Sequence, residues 1–143
     1  MKIAIGNDHA GFLAKEEVVR FLKENGYEVE DFGTHSKDSC DYPVFGKKVA
    51  EAVANGNAQF GVVICSSGEG IMMTANKVPG IRCGIAYNDE VAALLRQHNN
   101  ANVISFGANF MNIEDIKRRL KIFLNTDFEG GRHQRRVDLI EEK

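Results

Sequence analysis

The segment Cys65-Ser66-Ser67-Gly68-Glu69-Gly70 closes a continuous apolar run, FGVVIC, and leads straight into a stretch with helical character. Two glycines just before a helix let successive backbone N–H groups point at one place, where the helix dipole also favours negative charge. Such a nest can hold a phosphate, a carboxylate or an enediolate oxygen. A thiol beside a helix N-terminus ionises more readily than free cysteine, which would make Cys65 a base or nucleophile. The competing reading is a buried structural cysteine. The Gly68-x-Gly70 pair lacks the third glycine of a dinucleotide fingerprint.

Other loops carry complementary chemistry. In GNDHAG, Gly6 and Gly11 have the spacing that opens a P-loop, but Phe12-Leu13 follows where Lys-Ser/Thr is required. Asp8 and His9 in that loop can hold sugar hydroxyls, or a phosphate if the histidine is charged; otherwise they are a capping aspartate beside a surface histidine. His98 and Asn99, in RQHNNANV, read as a polar helix end or as a general acid that reaches a ligand across a subunit interface. In GGRHQRRV, Arg132 and Arg136 lie four apart on one helical face, with Arg135 one step round. Guanidinium forks suit phosphate, although a basic run is usually a solvated face. Cys83 sits inside an apolar strand and reads as core, and Cys40 lies in a polar loop with no evident chemistry. No metal-ligand spacing or flavin-sized aromatic platform accompanies these groups, and there is no Trp. The set fits proton transfer on a phosphorylated small molecule, without metal or cofactor.

The elements that must position these loops alternate along the chain. KIAI, YEVEDF, FGVVIC, GIRCGIAY and NVISFG read as strands. Helices are expected from Phe12 to a stop at Asn25–Tyr27, over DYPVFGKKVAEAVANG, within SGEGIMMTANK, over DEVAALLRQHN, and over NIEDIKRRLKIFLN with Asn112 as its cap. A short polar helix follows the Gly130-Gly131 break. Five strand–helix repeats imply an α/β fold: a three-layer αβα sandwich with a Rossmann-like five-stranded parallel sheet and a C-terminal helix. Ligands in such sheets sit beyond the carboxyl ends of the strands. The 143 residues fit one domain spanning 1–143. The net charge of −2 favours neither nucleic acid nor an anionic membrane. No apolar run approaches the roughly 18 residues of a membrane span, and MKIAIGND does not read as a signal peptide. Three widely spaced cysteines suggest free thiols and a cytoplasmic location.

Taken together, DH at 8–9, DYP at 41–43, IC at 64–65, ANKVPGIR at 75–82, HNNANV at 98–103 and EGGRH at 129–133 resemble the ribose-5-phosphate isomerase B family and the related galactose-6-phosphate isomerases. The similarity runs over nearly the whole chain. It implies a metal-independent aldose–ketose isomerase that interconverts ribose 5-phosphate and ribulose 5-phosphate through a cis-enediolate. Cys65 would remove the C2 proton, and the backbone of Ser66, Ser67, Gly68, Glu69 and Gly70 would hold the enediolate oxygens. The Ser67 hydroxyl would assist proton movement between oxygens. His98 would help open the furanose ring, aided by Asp8. Tyr42 and Asn99 would contact the sugar. His9, Arg132 and Arg136 would bind phosphate, with His133 close by. The resemblance further implies a homodimer, or a tetramer of paired dimers, whose tail (129–143), His98 and Asn99 cross into the neighbour's site.

The chain departs from the family pattern Cys-Gly-Thr-Gly at Ser66 and Ser67. If position 66 needs φ > 0, the nest must be reshaped. Glu69, between the two glycines, reads as a solvent-facing carboxylate or as a change in sugar selectivity. A six-carbon sugar phosphate, allose 6-phosphate or galactose 6-phosphate, is the alternative substrate. A non-catalytic sugar-phosphate sensor would be expected to lack Cys65 or His98. A flavodoxin-like carrier would need a hydroxyl-rich first loop, which GNDHAG is not.

Overall fold

The computed structural model describes residues 1–142. It contains β1 (Lys2–Asn7), α1 (Phe12–Glu24), β2 (Glu28–Asp31), α2 (Tyr42–Ala54), β3 (Phe60–Cys65), α3 (Glu69–Asn76), β4 (Cys83–Ile85), α4 (Asp89–Gln97), β5 (Val103–Gly107), α5 (Ile113–Leu124) and α6 (Arg132–Glu141). A 3-10 turn, His9–Gly11, precedes α1. The strands form one parallel sheet in the order β2-β1-β3-β5-β4.

The apolar runs of β1, β3 and β5 are buried on both faces, as central parallel strands must be. Alternate side chains divide between two cores. Ile3, Ile5, Val62, Ile64, Ile104 and Phe106 face α1, α4 and α5. Ala4, Val63, Cys65 and Val103 face α2 and α3. Each fully buried Val, Leu, Ile or Phe contributes about 1.5–3 kcal/mol of burial free energy. Helix starts follow the expected chemistry: Asn112 accepts the Asp115 N–H at 2.8 Å, and Asn88 accepts that of Val91 at 2.7 Å.

The fourth strand is shorter than GIRCGIAY suggests. Side chains take over the backbone groups around it. The Asn102 carboxamide accepts the Arg82 N–H at 2.9 Å and donates to Gly80 O at 2.9 Å. The Asn76 carboxamide accepts the Cys83 N–H at 2.7 Å and donates to Cys83 O at 2.9 Å. Lys15 is a further departure from simple patterning, because it is fully buried on α1. Its ammonium lies 2.8 Å from Asp31 and 2.9 Å from Glu16. A buried charge needs such partners, and the pairing ties α1 to the end of β2. No helix among the described residues is long and apolar enough to cross a membrane.

The chain runs outward from β1 to β2 in one direction and from β1 to β3 in the other. The crevice between β1 and β3 is therefore the topological switch point where ligands bind in open α/β sheets.

Candidate active site

The loops after β1 and β3 meet at that switch point. Asn7 lies opposite Ile64 in the ladder, and the Asp8 N–H donates to Ile64 O at 3.2 Å. Asp8 is buried, and its Oδ1 accepts the N–H groups of Ala10 at 3.0 Å and Gly11 at 3.2 Å. Its second oxygen has no hydrogen-bond partner among the described residues. His9 is half-buried, and its Nδ1 accepts the Cys40 N–H at 3.2 Å. In the neutral ring that bond leaves the proton on Nε2, which is then a donor. Cys40, read from sequence as inert, thus supplies the backbone group that orients His9.

Cys65 ends β3 with its side chain on the α2–α3 face, 4% exposed. Its Sγ accepts the Gly68 N–H at 3.2 Å. The Ser67 Oγ accepts the Glu69 N–H at 3.2 Å, and Glu69 itself faces solvent. The N–H groups of Ser66, Ser67 and Gly70 have no acceptor among the described residues, so they are available to an anion. Tyr42, at the start of α2, lies over Gly70: a Cβ there would stand 2.5 Å from the ring. Tyr42, Asp8, His9 and the 65–70 loop therefore share one end of the sheet. Cys83 belongs to the core, as expected, and burial pushes its thiol well above the ordinary range, leaving it protonated.

His98, Asn99, Arg132, His133 and Arg136 form a second group. α4 starts at the carboxyl end of β4 and runs back, so His98 at its end lies beside the start of β5. The same end of the sheet holds Gly61, whose N–H donates to Asn102 O at 2.9 Å. At about 3.3 Å per residue, the length of β3 puts roughly 15–20 Å between that end and Cys65. One chain does not bring Cys65 and His98 together. α6 is moored to α4 by the Glu129 N–H, which donates to Gln97 O at 3.1 Å. His133 then stacks on His98, with ring centroids 4.2 Å apart and planes 12° from parallel. Arg132, Arg135 and Arg136 are exposed and have no ion-pair partner among the described residues.

The fold also gathers His98, Glu129 and His133, which their sequence spacing did not suggest. Glu129 Oε1 lies 3.9 Å from His98 Nε2 and 3.6 Å from His133 Nε2. An imidazole binds a metal within its own plane, and two stacked rings offer no point common to both planes. The group as arranged is a stacked imidazole pair beside a carboxylate. Burial lowers the His133 pKa from its ordinary 6.5, and the nearby charges of His98, Arg132 and Arg136 lower it further against the opposing pull of Glu129. Folding therefore favours neutral His133. As pH falls below about 6.5, the unfolded chain takes up the proton first, so the stability present above that value is lost towards the lower folded-state pKa. Urea midpoints should drop between about pH 7.5 and about pH 5, and His133→Gln should flatten the drop.

A family model described as Ribose/Galactose Isomerase matches residues 3–140. The chain belongs to this family. Ribose-5-phosphate isomerase B of Escherichia coli (strain K12) is 45% identical over 139 residues, covering 97% of this chain and 93% of that protein. The structure of Clostridium thermocellum ribose-5-phosphate isomerase B superposes with a TM-score of 0.97 at 48% identity, over 99% of this chain and 95% of that one. A Mycoplasma genitalium ribose-5-phosphate isomerase B structure with bound ribulose-5-phosphate superposes with a TM-score of 0.94 at 38% identity, over 98% of this chain and 93% of that one.

Within the ribose/galactose isomerase pattern, the departure at Ser66 is accommodated without reshaping. Among the described non-glycine residues only Asn100 has a positive φ, so Ser66 needs no left-handed backbone. Gly68 carries that requirement, at φ +85°, with Phe106 and Gly107 backbone atoms 3.0–3.2 Å from where a Cβ would stand. Gly68→Ala should therefore cost about 1–2 kcal/mol in the left-handed backbone alone. A thermal melt will register the loss.

Proposed function

We infer that this chain interconverts ribose 5-phosphate and ribulose 5-phosphate by proton transfer, with no metal required. The observation that carries the reading is the thiol of Cys65 beside a loop of unpartnered N–H groups, at the switch point of a ribose/galactose isomerase fold. The same activity is named for the Escherichia coli relative and for the Clostridium thermocellum structure.

In this reading His98 and Asp8 open the furanose ring. Cys65 takes the C2 proton, and the electron pair moves to O1 through the new C1–C2 double bond. The N–H groups of Ser66, Ser67 and Gly70 stabilise the oxyanion where it develops, which a weak carbon acid requires. The Ser67 hydroxyl passes the O2 proton to O1. Cys65 then returns its proton to C1, leaving the carbonyl at C2. One thiol serves both carbons because they share a face of the cis-enediol. His9 Nε2, Arg132 and Arg136 hold the phosphate, and that remote grip positions the reacting carbon. Tyr42 and Asn99 contact the sugar.

The distance between the Cys65 and His98 ends of one chain supports a site built by two copies. The tail from 129, with His98, Asn99 and the two arginines, would complete the neighbour's crevice. The exposed, unpaired arginines fit that role. The test is turnover of ribose 5-phosphate by pure protein with a chelator present. Conversion supports the assignment. Turnover of allose 6-phosphate alone would move it to a six-carbon substrate, and binding of both without turnover would indicate a sensor.

A further inference from the structure

The mechanism above uses the N–H groups of the loop but leaves open what aims them. The loop's carbonyls answer that. Ala108 N–H donates to Cys65 O at 2.9 Å, and Asn109 N–H donates to Ser66 O at 3.0 Å. The Asn109 carboxamide also donates to Ser66 Oγ at 2.7 Å. Ser105, fully buried on β5, donates its hydroxyl to Gly68 O at 2.7 Å. Val63 and Ser105 are ladder partners, as are Cys65 and Gly107, so Ser105 faces the same side as Cys65. Three carbonyls and one hydroxyl of the loop are thus held by β5 and the segment after it.

A trans peptide is planar, with the C=O of one residue opposed to the N–H of the next. Drawing Cys65 O and Ser66 O towards the β5 side turns the Ser66 and Ser67 N–H groups the other way. These are two of the N–H groups left without an acceptor. Ser105 acts at the next corner, fixing the peptide that follows the left-handed Gly68, whose Glu69 N–H in turn holds the Ser67 Oγ. Ser66, a departure from the family pattern, offers through its hydroxyl an additional point of attachment.

We propose that Ser105 and Asn109 are positioning residues: by holding Gly68 O and the Ser66 hydroxyl, their side chains fix the loop so that its free N–H donors are aimed at the enediolate. The proposal rests on the isomerase reading of this loop. Neither side chain need touch the sugar. Their removal should weaken binding of the transition state and spare binding of the phosphate.

The experiment compares wild type with Ser105→Ala, Ser105→Thr and Asn109→Ala. It measures kcat and KM for ribose 5-phosphate, inhibition by inorganic phosphate, and inhibition by a phosphorylated hydroxamate whose two cis oxygens mimic the enediolate. Thermal melts run alongside. In Asn109→Ala and Ser105→Ala, kcat and hydroxamate affinity should fall together by about tenfold, less than for loss of a direct oxyanion donor. Phosphate affinity should hold, and Ser105→Thr should recover most of the loss. Unchanged kcat and hydroxamate affinity in the folded alanine variants overturns the proposal while leaving the isomerase reading intact. So does an equal loss of phosphate affinity. If Ser105→Ala does not fold, the surface variant Asn109→Ala decides. A wild type that neither turns over nor binds the hydroxamate overturns both.

Discussion

Cys65→Ala should lower kcat for ribose 5-phosphate by about 10³-fold, the scale expected for losing a positioned proton-transfer group. The fold should survive, because the change removes one sulfur at the end of β3 and leaves the ladder to β5 in place. The buried Gly68 N–H would lose its acceptor at Sγ, at a cost of about 1–3 kcal/mol. KM should change far less than kcat, since the thiol acts on the C2 proton and the phosphate is gripped elsewhere. Cys65→Ser would be the sharper control, because its hydroxyl fills the same place with a much weaker base at neutral pH. Turnover equal to wild type in both variants would sink the thiol mechanism and move attention to Glu69.

A second experiment uses two dead proteins. Cys65→Ala and His98→Ala should each be nearly inactive alone. If a site takes Cys65 from one chain and His98 from another, a mixed dimer has one site with both residues intact and one with neither. Random exchange at equal concentrations makes half the dimers mixed, so about a quarter of wild-type activity should return on mixing. No recovery after verified subunit exchange would mean that each chain supplies its own thiol and imidazole. The end-to-end separation of β3 within one chain would then have to be bridged by movement of α4 and α6.

Much of the fold was legible because its signals are local. FGVVIC is apolar without interruption, and only a central parallel strand buries both faces. Asn88 and Asn112 mark helix starts by side-chain chemistry that acts within three residues. Asp8, His9, Tyr42 and Cys65, expected from motifs to share a site, do lie at one end of the sheet, at the switch point. The rest depends on contacts between distant segments, which leave no periodic trace. Ser105 looked like one polar residue in an apolar strand, and its partner Gly68 is 37 positions away. Lys15 sits where helical spacing allows a buried residue, but its burial depends on Asp31 closing over it. Cys40 is important through its backbone N–H, which no residue type encodes. β4 starts later than GIRCGIAY suggests because Asn76 and Asn102 substitute for strand neighbours from Gly80 to Cys83, and a carboxamide in a sequence does not say what it will bind.

That last substitution bears on how copies of the chain can associate. An open parallel sheet ends in a row of unsatisfied peptide groups, which invites another strand to add and so to build continuous sheets or fibrils. Here the outer strand is only three residues long, and the Asn76 carboxamide already occupies both peptide groups of Cys83. A carboxamide has the same donor and acceptor as a peptide unit, so it acts as a one-residue neighbour that cannot be extended. Edge-to-edge polymerisation is blocked at this border, so copies that meet there do so through side-chain surfaces, which can close in pairs.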